Sequence, residues 1–175
     1  MRSFNHKTKI HFEGNSLSRL ATLEYKKVFI IADPFIVSSD LIKTVTSRLD
    51  ASQIEYTIYS DVVPDPSIDK VVAGVTALVR EKSPCLIAVG GGSAIDLAKC
   101  VRLFARNLHP DYEPHFIAIP TTSGTGSEVT SFAVVTDTNK NIKLLLCLKI
   151  KFCLLYLIDH SRRGKRMHAQ KTGLF

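Results

Sequence analysis

The sequence contains no C-x-x-C pair; Cys85, Cys100, Cys147 and Cys153 stand apart. Cys85 and Cys100 lie in apolar runs, where a free thiol packs as a small hydrophobe. The stretch Met1–Lys9 is polar and carries no apolar signal-peptide core. Both features favour a reducing, cytoplasmic setting. No histidine pair has H-x-x-x-H or H-E-x-x-H spacing, so His6, His11, His109, His115, His160 and His168 read as surface or filler residues. A GKS or GKT phosphate loop and a Ser/His/Asp nucleophile arrangement are equally missing. There is no internal repeat. The one long apolar run, Leu144–Ile158, is broken by Lys149 and Lys151 and is too short and too charged for a membrane span.

What remains is ordinary globular composition, with 45% apolar and 22% charged residues in a chain of 175. That length suits one domain with a sizeable core. The formal net charge of +7 is unevenly placed. Through Lys143 there are 16 basic and 15 acidic residues; after it, seven basic residues face only Asp159. A near-neutral body argues against nucleic-acid binding, which calls for a basic stripe on the folded surface.

Short apolar runs at Lys27–Ala32, Glu55–Tyr59, Cys85–Val89 and His115–Ile119 alternate with helical segments near Ser39–Leu49, Ser67–Lys82 and Ser93–Asn107. In the second helix Val71, Val72, Val75, Leu78 and Val79 mark the expected inner face. This alternation predicts an α/β fold, a Rossmann-like parallel sheet with helices on both faces. Phe132–Thr136 adds a short β-rich run, with Asp137–Lys140 as a turn. Beyond Lys143 the run Leu144–Ile158 fits neither helix nor strand period and is followed by a basic stretch from Ser161.

Two stretches carry chemistry. In AVGGGSAIDLAK, Ala88–Lys99, an apolar strand runs into three glycines before a helix opens. Such a turn lets backbone approach a ligand, and the free amides at the helix start attract phosphate. The alternative is a plain tight turn with Ser93 as N-cap and Asp96 as its capping-box partner. Ile95 stands at the third glycine position, so G-x-G-x-x-G is not met. In IPTTSGTGSEVT, Ile119–Thr130, Thr121, Thr122, Ser123 and Thr125 offer hydroxyls to sugar or pyrophosphate oxygens, or simply form a polar loop. Asp33, at the tip of KVFIIAD, can accept both hydroxyls of an adenosine ribose or can start an Asp-Pro turn and cap the next helix.

Together, GGGSAIDLAK and IPTTSGTGSEVTSFAVVTD resemble the iron-containing (group III) alcohol dehydrogenases, and VVPDPSIDKVVAGV is similar to their propanol-dehydrogenase branch of propanediol utilisation. The resemblance covers about residue 5 to Lys143. It implies an N-terminal NAD-binding domain in which Gly91, Gly92 and Ser93 hold the pyrophosphate and Thr121, Thr122 and Thr125 line the cofactor. Asp33 matches the ribose-binding acid, and Val134 and Lys143 match further cofactor contacts. Asp65 stands where many members have Asn. The family's all-helical C-terminal domain supplies one Asp and three His to a divalent metal, iron or zinc, which polarises a short-chain alcohol or aldehyde.

Nothing after Lys143 resembles that domain. The expectation is therefore a dinucleotide-binding domain at 1–143 and an atypical tail at 144–175, joined by a frame shift in a truncated product. Such a chain has no metal ligands or catalytic residues of its own and is expected to be inactive. Two alternatives stand beside this one: a stand-alone NAD-binding module, and a protein whose tail rests on a membrane. Cytoplasm is the expected location, with a bacterial microcompartment implied by the resemblance.

Overall fold

A computed structural model describes residues 9–11, 15–147 and 153–155. Six strands form one parallel sheet in the order β1-β8-β5-β4-β2-β3, with β1 at Lys9–His11, β2 at Lys27–Ala32, β3 at Glu55–Tyr59, β4 at Cys85–Gly90, β5 at His115–Pro120 and β8 at Cys153–Leu155. An antiparallel hairpin, β6 (Phe132–Asp137) with β7 (Ile142–Cys147), stands apart from it. The helices are α1 (Pro34–Ser38), α2 (Asp40–Ala51), α3 (Ile68–Glu81) and α4 (Gly92–Leu108). The four strands expected from apolar runs are all present, and they form consecutive neighbours in the sheet.

Alternation along these strands splits the core in two. Phe29, Ile31, Leu86, Ala88, Phe116 and Ala118 face α3, α4 and the hairpin, whereas Val28, Ile30, Ile87, Val89, Ile117 and Ile119 face α2 and a 3₁₀ turn at Ser16–Thr22. Every residue of β4 is buried, as a central parallel strand requires. Helices therefore cover both faces, as expected. Cys85 and Cys100 are buried and form no disulfide, and burial pushes the Cys100 thiol up to about 12.

Helix boundaries follow their caps. Ser67 caps α3 by accepting the Lys70 N–H at 3.4 Å, and Lys82 ends it in the left-handed region at φ 49°. The expected inner face of α3 needs one correction. Val71, Val75 and Leu78 are buried, but Val72 is 58% exposed, and Gly74 takes the inner position against Val101. A second correction concerns Leu144–Ile158. Its first four residues complete β7, and Leu144 and Leu146 pack on the core shared with α3 and α4. Residues 153–155 add β8 between β5 and β1. The remainder of the expected tail lies outside the described residues.

Candidate nucleotide site

The site forms where β2, β4 and β5 end side by side. In a parallel sheet, the crevice beyond the carboxyl ends is where ligands bind. Gly90, the last residue of β4, has φ +150°, and a Cβ placed on it would lie 2.9 Å from both Asp33 Oδ2 and Ala94 Cβ. Only glycine fits that conformation and that gap. The Thr121 N–H, at the end of β5, donates to the Gly90 carbonyl at 3.0 Å. The Asp33 side chain caps α1: its Oδ1 accepts the Ile36 N–H at 2.9 Å, while Oδ2 is turned toward the glycine turn. Both local readings of Asp33 are thus compatible, one oxygen for each.

Gly91 caps α4 in extended conformation, with no side-chain bond and no acidic residue in the first turn. The capping box of the alternative reading, Ser93 with Asp96, does not form. The helix opens a residue earlier than expected, at Gly92, and Asp96 reaches across to accept the Val134 N–H at 3.0 Å. A tertiary donor has won over the local one. The first-turn amides of a 17-residue helix are consequently left uncapped by any side chain.

Above this helix start lies a cavity of about 540 Å³, walled by Gly92, Ser93, Thr125, Val134, Lys143 and Asp65 among others. A Cβ on Gly92 would come within 2.7 Å of Thr125 Oγ1, so the Thr loop sits directly on the turn. The Thr125 hydroxyl lies 3.0 Å from Ser127 Oγ, and the Ser127 N–H also donates to it at 3.3 Å. Thr122 Oγ1 lies over Gly91, 3.1 Å from where a Cβ would stand. Five of the expected residues, Gly92, Ser93, Thr125, Val134 and Lys143, therefore line one cavity. Asp33, Gly91, Thr121 and Thr122 gather around the Gly90–Gly91 turn beside it.

Sequence reasoning passed over Lys99. Its side chain is wholly buried; Nζ donates to the Phe132 carbonyl at 2.7 Å and to Thr130 Oγ1 at 3.4 Å, and stands 3.6 Å from Asp96 Oδ1. Burial holds the ammonium below its usual pKa despite the Asp96 carboxylate beside it. Together with the Asp96–Val134 bond, this fastens the hairpin to α4 and so fixes the far wall of the cavity. An Asp and a Lys three apart among the apolar residues Ala94–Val101 of this helix were the available signal.

Uncapped amides, hydroxyls and close-approaching glycines suit the phosphates of a dinucleotide. A resident metal fares differently. Among the described residues there is no group of three or more His, Cys, Asp or Glu that could hold an ion. No described helix is long and apolar enough to cross a membrane.

The family model for iron-containing alcohol dehydrogenase matches residues 7–160. A 1-propanol dehydrogenase of Citrobacter freundii is 41% identical over 143 residues, which are 82% of this chain and 38% of that protein. Among solved structures, an iron-containing alcohol dehydrogenase of Thermococcus thioreducens aligns with TM-score 0.78 at 22% identity, over 87% of this chain and 46% of that one. A sulfoacetaldehyde reductase of Bifidobacterium kashiwanohense, solved in complex with NAD+, aligns with TM-score 0.76 at 21% identity, covering 89% and 46%. These last two establish the fold. The chain spans less than half the length of these relatives, and by its family match over residues 7–160 it belongs to the iron-containing alcohol dehydrogenases.

Proposed function

We propose that this chain is the NAD-holding part of an alcohol dehydrogenase that moves hydride between the cofactor and a short-chain primary alcohol or aldehyde. The observation that carries the reading is the uncapped start of α4, opening on a cavity that the Thr loop and hairpin enclose. In this assignment the amides of Gly92 and Ser93 receive the pyrophosphate, with Thr122 and Thr125 hydroxyls beside it. Gly91 lets the Thr122 side chain lie against the turn, and Thr121 fixes the loop to β4. Val134 and Lys143 form the opposite wall. NAD, when bound, supplies the hydride acceptor.

Asp33 sets cofactor choice. Its free Oδ2 is placed to accept ribose hydroxyls and would repel a 2′-phosphate, which favours NAD over NADP. No step is assigned to a metal. For the 175-residue chain itself the proposal is NAD binding without turnover of its own. Among the described residues Cys85, Cys100 and Cys147 form no disulfide, which fits a cytoplasmic location.

Calorimetry with NAD tests the reading, and Asp33→Asn sharpens it. Asparagine keeps a carbonyl oxygen for the Ile36 N–H, so α1 and thermal stability should be unchanged. One ribose acceptor becomes a donor, so NAD affinity should fall while discrimination against NADP relaxes. Absence of NAD binding by the wild-type chain at millimolar concentration would refute the assignment. NADH oxidation by the purified chain with propanal and iron or zinc would refute the prediction of no turnover.

A further inference from the structure

The cavity has a charge arrangement that nucleotide binding alone does not explain. Among its described lining residues Lys143 is the sole cationic side chain. Its ammonium is already engaged: Nζ donates to Asp65 Oδ2 at 2.9 Å. Asp65 comes from the loop before α3 and Lys143 from β7, so the pair straps the cavity mouth between two elements 78 residues apart. Both side chains are 61% exposed, so the ammonium can leave one oxygen for another without exposing buried charge.

We propose that Asp65 sets the strength of anionic-nucleotide binding by competing with the ligand's phosphate oxygens for Lys143. The inference rests on the nucleotide reading of the cavity and adds a specificity-tuning residue to it. A phosphate arriving at the α4 amides meets a cation that a carboxylate has already neutralised, and it must take over that ammonium. Asp65 also puts a negative charge on the wall, which disfavours the incoming anion directly. An exposed ion pair of this kind is weak, so displacement is easy and the effect is a tuning of affinity by about two- to fivefold. The backbone of Asp65 lies in the left-handed region at φ 50°. Asparagine tolerates that region as well as aspartate does, so the carboxylate can be removed without disturbing the turn.

The test is NAD calorimetry on four full-length chains: wild type, Asp65→Asn, Lys143→Met and the double variant, each with a thermal melt. Asp65→Asn should bind NAD about two- to fivefold more tightly at low salt, and the gain should shrink as salt screens both contacts. In the Lys143→Met background the same substitution should lose most of its benefit, since the released cation is gone. Unchanged or weaker binding by Asp65→Asn overturns the proposal while leaving the NAD assignment intact. A gain that persists undiminished without Lys143 also overturns it, leaving only direct repulsion. If the wild type and every variant fail to bind NAD, the underlying assignment falls and this proposal with it. Asp65→Gly, which also suits φ 50°, replaces Asp65→Asn if the latter melts early.

Discussion

Replacing Lys99 with methionine would test how the cavity wall is held. The methionine keeps most of the stem in place and removes only the ammonium. Three things change: the Phe132 carbonyl loses its donor at 2.7 Å, Thr130 Oγ1 loses one at 3.4 Å, and Asp96 loses the cation 3.6 Å from Oδ1. Removing one member of a buried ion pair costs about 3–5 kcal/mol, chiefly because the other charge is stranded. Asp96 is only partly stranded. It retains the Val134 N–H at 3.0 Å, and its side chain is 12% exposed. The lower end, about 3 kcal/mol, is therefore expected, or roughly 1.5 M off the urea midpoint for a slope near 2 kcal/mol/M. Adding Asp96→Asn removes the stranded charge, so the double variant should be less damaged than the two single losses summed. Urea unfolding followed by circular dichroism reads both quantities. A single-variant loss below about 1 kcal/mol, or strict additivity in the double variant, would refute the view that this pair fastens the hairpin to α4.

Two further outcomes are expected. In Gly92→Ala the new Cβ, 2.7 Å from Thr125 Oγ1, must push the Thr loop off the turn; NAD affinity should fall about tenfold by calorimetry, with thermal stability little changed because alanine suits a helix better than glycine. Glu81 is held below its ordinary carboxylate value of 4.5, first by the hydrogen bond from Lys27 at 2.6 Å and further by Thr57. Its folded-state value is depressed, so the unfolded chain binds the proton more tightly, and the stabilisation is present above pH 4.5 and lost as pH falls through the lowered value. Melting temperatures from pH 3 to 7 should thus fall less steeply toward acid in Lys27→Met than in wild type, and parallel curves would contradict this.

The central strands were legible because burial on both faces leaves an almost unbroken apolar run, as CLIAV does in β4. Helix α3 was legible through Ser67 and its valines, yet periodicity could not tell that Val72 would point outward while Gly74 let Val101 approach. The flanking strands β1 and β8 are three residues each, too short to carry a period. At the site, the glycine turn and the Thr loop stood out from local pattern alone. Asp96 misled because Ser-x-x-Asp is a cap signature only when no stronger donor is near, and the Val134 N–H comes from a strand 38 residues away. Lys143 was placed by resemblance, but its pairing with Asp65, 78 residues away, could be found only in the fold.

The placement of β8 ties the two ends of the described chain to each other. Among the described residues Lys9–His11 pair only with Cys153–Leu155, and those residues in turn reach the rest of the sheet through Ile117 and Ala118. During synthesis, therefore, the earliest of these strands has no edge to join until one of the last has emerged. Assembly of that border must come late, after β2, β3, β4 and β5 have already found one another.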